Sequence, residues 1–293
     1  MTSVPESAWS LMIPFITAPG FALKENHTVT LGGLQAEVRP GSFGYTRIMI
    51  DDIESARAAH DLFEAVRIGM QVASININWG IRVPSNVLTL GFDSPMPNQP
   101  DVPLIYPKGK SLRRMILSID VGQMSPDRVL PKLLKSLELG LSLEPARRAM
   151  SDDRVKLAVE LYIDSHFETS DSARFIGLVG VLEVLKDKDS SSDAAKTLID
   201  KWRQEARDLA QEEANSIQSN LAFLKSISIS RGIGSVVKRH LGEDRMGEAR
   251  DLYTARSSLV HDGIRPIDSA DTVRCTQQIV RELLASILMS GSR

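Results

Sequence analysis

The pattern of apolar and polar positions changes character near residue 125. Before it, apolar runs are short and broken by glycine and proline. Thr28-Val29-Thr30-Leu31, Thr46 to Ile50, Val87 to Leu90 and Arg114 to Ile119 read as β-strands. Gly32-Gly33, Pro40-Gly41 and Lys108-Gly109 supply turn chemistry between them. One helix is predicted in this half. From Asp51 as N-cap, Ile53, Ala56, Ala59, Phe63, Val66, Met70 and Ala73 recur at helical spacing. The segment from Asp93 to Pro107 carries Pro95, Pro97, Pro100, Pro103 and Pro107 and reads as an extended excursion.

After residue 125 the spacing is helical. Ser125-Pro126-Asp127 opens a helix through Val129, Leu130, Leu133, Leu134, Leu137 and Leu141. Ser151-Asp152-Asp153 opens a second and Asp171 a third, the latter through Phe175, Leu178, Val179, Leu182 and Leu185. A polar loop, Lys186 to Asp193, precedes one long amphipathic helix over Ala194 to Ala214. Further helix is predicted over Ile217 to Lys225, Ile233 to Leu241, Met246 to His261 and Ser269 to Met289. The expected fold class is an α+β N-terminal domain followed by an all-α helical bundle. Its boundaries are residues 1–125 for the α+β domain, 126–150 for a helical connector and 151–293 for the bundle.

Composition narrows the function. The 293 residues are 42% apolar and 25% charged, the balance of a globular chain. Lys plus Arg number 35 against 37 Asp plus Glu, so a nucleic-acid-binding surface has to be local. The single cysteine, Cys275, excludes an internal disulfide framework and a Cys-based zinc site, and fits a reducing cytoplasm. The first seven residues carry no basic residue and include Glu6, which is unlike a secretory signal. The apolar run Leu11 to Leu23 is broken by Pro14, Pro19 and Gly20 and is shorter than the roughly 20 residues of a membrane helix. A cytoplasmic protein without a membrane partner is expected.

Several familiar motifs fail. Gly109-Lys110-Ser111 ends like a phosphate-binding loop, but Leu104 stands where the first glycine belongs. Gly232-Ile233-Gly234 lacks the third glycine of a dinucleotide fingerprint. His27, His60, His166, His240 and His261 are scattered, so no metal site is expected. Neither a His-Glu-x-x-His helix nor a Gly-x-Ser-x-Gly elbow occurs. Glu212-Glu213 reads as solvated helix surface.

One segment differs, Leu252-Tyr253-Thr254-Ala255-Arg256-Ser257-Ser258-Leu259-Val260-His261-Asp262-Gly263. Leu252, Ala255 and Leu259 make a core stripe. Gly263 suits the position just past a helix end and Pro266 prevents continuation, so His261 is predicted in the last turn. The carbonyl-rich end of a helix favours positive charge, which suits a histidine that exchanges protons. Arg256 and His261 lie about 140° apart around the axis and about 7.5 Å along it. They border one cleft only if Arg256 extends along the helix or a second helix completes it. Such a pair suits RNA cleavage without metal or cofactor. The histidine takes the 2′-hydroxyl proton or protonates the leaving 5′-oxygen. The guanidinium binds the scissile phosphate and its added charge. The competing reading is a helix-capping histidine and a surface or ion-paired arginine.

The C-terminal half resembles the HEPN superfamily (higher eukaryotes and prokaryotes nucleotide-binding) in its ApeA-like branch. Arg174-Phe175-Ile176-Gly177-Leu178-Val179-Gly180-Val181-Leu182-Glu183-Val184-Leu185 is similar to the second helix of that family. Ser226-Ile227-Ser228-Ile229-Ser230 resembles the turn before its later helices, and Arg256 to His261 its Arg-x4-6-His motif. The likeness spans about residues 150 to 290. It implies a bundle that forms a homodimer with the two motif helices facing each other. It also implies a metal-independent endoribonuclease that leaves a 2′,3′-cyclic phosphate, in antiphage defence or a toxin–antitoxin-like system. Arg256 and His261 would be catalytic. Ser257 stands where many nucleases of the superfamily have Asn, Asp or His. Members that bind without cleaving give the alternative, an RNA- or nucleotide-binding and dimerisation module.

Supporting residues follow. Glu183 ends an apolar face, where it either holds Arg256 or sits exposed at the helix edge. Tyr253 either stacks on a base or fills the core. Lys238, Arg239, Arg250 and Arg265 are RNA-contact candidates, although Glu243, Asp244, Glu248 and Asp251 lie among them. The N-terminal domain would take a regulatory protein or ligand, by architectural analogy alone.

Overall fold

A computed structural model describes residues 8–18, 23, 25–41, 44–95, 97, 102–110, 126–187, 191–225, 227–264 and 269–290. The chain divides into two compact units, Met1–Thr169 with Leu284–Arg293, and Ser170–Leu283.

The first unit is α+β. Strands β1 (Trp9–Ala18), β2 (His27–Leu31), β3 (Leu34–Pro40), β4 (Thr46–Ile53), β5 (Gly80–Arg82), β6 (Leu88–Thr89) and β7 (Leu104–Pro107) form one sheet in the order β2-β3-β4-β1-β7-β6, with β5 paired to β1. All pairings are antiparallel except β6–β7. Helix α1 (Ala56–Ile77) covers one face. Phe63, Val66 and Met70 meet Leu11, Ile13, Ile48 and Ile50 in one core. Helix α2 (Pro126–Ser142) adds Val129, Leu130, Leu133 and Leu137 to the same core. The two helices come close at paired glycines. A Cβ added to Gly140 would stand 2.7 Å from the Gly69 Cα.

Several expectations need correction. The central strand is β1, which pairs with β4 on one side and with β7 and β5 on the other. Its residues from Ser10 to Phe15 are buried, so it lacks the alternation that marks a half-exposed strand. Pro14 is tolerated there because β7 pairs only as far as Met12 and β5 begins at Ile16. Asp51 is not a helix cap. It lies in β4 and accepts a hydrogen bond from Ser10, while Ser55 caps α1 by accepting from the Ala58 amide at 3.1 Å. The proline-rich excursion ends in β7, whose four residues are all buried. The run Arg114 to Ile119 and the helix-opening Ser125 lie outside the described residues.

The connector and the first helix of the expected bundle also belong to the first unit. Helix α3 (Glu144–Ala149) follows α2, and α4 (Asp153–Ser165) packs on β5 and α1. Tyr162 of α4 is fully buried and its hydroxyl donates to Asn78 Oδ1 at 2.9 Å. Arg82 forks onto Asp164 and stacks 4.1 Å over the Phe167 ring.

The second unit holds α5 (Asp171–Leu185), α6 (Asp193–Glu205), α7 (Gln211–Phe223), α8 (Ile229–Leu241), α9 (Glu243–Asp262) and α10 (Ser269–Ser290) as far as Leu283. The long helix expected over 194–214 is two helices. A 3₁₀ turn at Ala206–Asp208 and extended backbone at Leu209 fold α7 back onto α6, with Ala206 of the turn and Ala214 of α7 buried. Among the described residues no helix is long and apolar enough to cross a membrane.

Candidate functional site

Helices α5, α8 and α9 pack on one another in the second unit. A one-residue link, Gly242, joins α8 to α9 at φ +97°, a conformation that a side chain would strain. Two glycines of α8 permit close approach. A Cβ on Gly232 would stand 2.6 Å from the Asp187 carbonyl oxygen, and one on Gly234 2.5 Å from the Arg250 Nε. The Gly232-Ile233-Gly234 sequence is therefore a packing device.

Arg256 and Glu183 meet across α9 and α5. Arg256 Nη1 lies 3.4 Å from Glu183 Oε1, and each side chain is only 23% exposed. Arg256 Nε and Glu183 Oε1 are buried atoms with no hydrogen-bond partner among the described residues. The pair is thus an ion pair of loose geometry, held by charge more than by hydrogen bonds. Lys186 Nζ donates to the Glu183 carbonyl at 3.0 Å and fixes the end of α5.

His261 occupies the last turn of α9 and is exposed. The helix stops at Gly263 with φ +70°, and the Ile264 amide reaches back to the Ser258 carbonyl at 3.2 Å. Exposed Val260 and Ile264 flank this end. Tyr253 and Ser257 are half-buried, and of the expected core stripe Leu252 is buried while Ala255 and Leu259 are half-buried.

The cationic candidates divide. Lys238 is paired with Glu243, both exposed. Arg239 grips Asp187 with two hydrogen bonds, at 2.6 and 3.1 Å. Asp187 is only 14% exposed, and sequence reasoning missed it because it lies in a run of alternating charges without spacing to single it out. Arg250 is half-buried against Gly234. Arg245, another flanking cation, bridges Glu248 and Glu282. Arg265 lies outside the described residues. The face is mixed rather than uniformly basic. Among the described residues no three His, Cys, Asp or Glu side chains gather as around a metal ion.

Beside this cluster, His240 is held below the ordinary histidine range by burial first and by the neighbouring Arg239 second, with Asp187 opposing them. The unfolded chain therefore binds a proton at a higher pH than the folded one. Stability from neutral His240 is present above about pH 6.5, the unfolded value, and is lost as pH falls through the lower folded value. His240→Gln should flatten that part of the stability profile, as read by urea denaturation between pH 7.5 and about 5. An unchanged slope would remove His240 as its cause.

Comparisons with protein-family models, with curated proteins and with solved structures find no match. What the site can do follows from its own chemistry. It offers a guanidinium whose only ion-pair partner among the described residues is Glu183, and an exposed imidazole about one and a half turns later on the same helix. A phosphate bound at Arg256 gains charge-assisted hydrogen bonds. An imidazole nearby supplies or removes a proton.

Proposed function

We propose that the chain is a metal-independent endoribonuclease of the HEPN type. The RNA 2′-oxygen attacks the adjacent phosphorus and the bond to the 5′-oxygen breaks, leaving a 2′,3′-cyclic phosphate and a 5′-hydroxyl. One proton leaves the 2′-hydroxyl and one arrives at the 5′-oxygen. His261 carries one of these transfers, and His261 of a second copy carries the other in a dimer with facing motif helices. Arg256 binds the phosphate as charge develops on its oxygens. The observation that supports this reading is the Glu183–Arg256 pair. A carboxylate from α5 lies 3.4 Å from the arginine of the motif on α9, which favours the first of the two roles open to Glu183, that of holding Arg256.

A binding module is the second reading. Ser257 departs from the nuclease pattern, and Glu183 already balances part of the Arg256 charge. Incubating the purified chain with labelled RNA in EDTA separates the two. The nuclease yields fragments ending in cyclic phosphate. The binding module shifts the RNA in a gel and leaves it intact.

A further inference from the structure

Strand β2 is an outer strand of the sheet, and among the described residues it pairs with β3 alone. The turn between them determines which of its backbone groups stay open. Gly32 and Gly33 have φ of +59° and +85°, the signature of a two-residue type I′ hairpin. Such a loop closes on a hydrogen-bonded pair, here Leu31 with Leu34. Alternation then puts Val29 and His27 in hydrogen-bonded pairs with Ala36 and Val38. The N–H and C=O groups of Thr28 and Thr30 are left pointing outward, and both residues are exposed. The strand, His27-Thr28-Val29-Thr30-Leu31, contains no lysine, proline or acidic residue, the devices that keep an edge from pairing.

We propose that β2 pairs antiparallel with β2 of a second copy, about a two-fold axis through Val29, joining two sheets into one. The hydrogen-bonding phase requires outward residues to face outward residues, and of the registers that satisfy it this one sets Val29 against Val29. Thr28 of one copy faces Thr30 of the other, and both carry the outward groups. Val29 then faces its own symmetry mate in a non-hydrogen-bonded pair, where side chains approach most closely. Val29 is half-buried against the sheet core, and the second Val29 extends its cover. The charges also fit. His27 falls opposite Leu31, Asn26 opposite Gly32 and Glu25 opposite Gly33, so no like charges face each other. This inference is independent of the nuclease reading.

Cross-linking the full chain tests it. In a Cys275→Ser background, Val29→Cys and Thr28→Cys are oxidised separately with glutathione disulfide and run on non-reducing gels. The register brings the two thiols introduced at position 29 face to face. It leaves the two residues at position 28 about 8 Å apart, beyond disulfide reach. Val29→Cys should therefore form dimers at least about tenfold faster than Thr28→Cys. Adding Thr30→Pro removes an outward N–H without touching the β3 ladder and should abolish that advantage. Equal rates, no dimer, or indifference to Thr30→Pro overturns the proposal. Capture of an extended peptide from another protein gives no Val29→Cys dimer and also counts against it. A dimer made through the helices does not place Val29 on Val29, so it does not imitate the signal. Should Val29→Cys melt below the parent chain, sedimentation of Thr30→Pro decides. Loss of one association step relative to the parent supports the pairing, and an unchanged mass contradicts it.

Discussion

Replacing Gly140 by alanine should cost the N-terminal unit about 1–3 kcal/mol. The added Cβ would meet the Gly69 Cα at 2.7 Å and the Gly69 carbonyl oxygen at 2.9 Å. Both are backbone atoms, so no rotamer change relieves the clash. α2 must move off α1, and the movement loosens Leu133 and Leu137 from the core they share with Phe63, Val66 and Met70. Gly177→Ala in α5 is the control. Nothing lies within 4 Å of a Cβ there, so the same substitution should gain about 0.5–1 kcal/mol of helix propensity. Urea denaturation followed by circular dichroism reads both. An unchanged midpoint for Gly140→Ala would mean that the two helices do not cross at these glycines.

On the proposed nuclease reading, Arg256→Ala should lower RNA cleavage by about 10²–10³-fold, the usual cost of losing one donor to developing negative charge. Arg256→Lys should recover little, because an ammonium cannot present the planar fork that spans two phosphate oxygens. Glu183→Ala acts through the arginine, freeing it from its position on α9. Both single variants should also lose stability, since each leaves the other charge largely buried without its partner. Partial exposure reduces that loss below the figure for a fully buried pair, to about 1–3 kcal/mol. A double-mutant cycle should return a coupling of about 1 kcal/mol or more. Zero coupling would mean that Glu183 does not hold Arg256.

The helical half was readable chiefly from its cap and end signals, because α5 and α9 carry little amphipathic contrast. The end of α9 at Gly263 and the cap of α4 at Asp152 fall where glycine and aspartate signals put them. The N-terminal half was read less completely. β1 is buried on both faces, so its sequence shows a continuous apolar run instead of alternation. The same burial lets β7 hide inside a proline-rich segment. The break between α6 and α7 has neither glycine nor proline, so no local signal marks it. The assignment of α4 to the first unit depends on contacts with Asn78 and Arg82, more than 80 residues earlier in the chain. At the site, the Arg256–His261 spacing could be read directly. The Glu183 contact was one of two readings, and Asp187 could not be singled out.

The most direct test of the nuclease reading compares the parent chain with His261→Ala on a labelled mixed-sequence RNA, with EDTA present throughout. His261 is exposed at a helix end, so the variant should keep the parent's melting behaviour. The reading predicts fragments with 2′,3′-cyclic phosphate ends from the parent and none from the variant. Equal cleavage by both, or intact RNA with both, would contradict it.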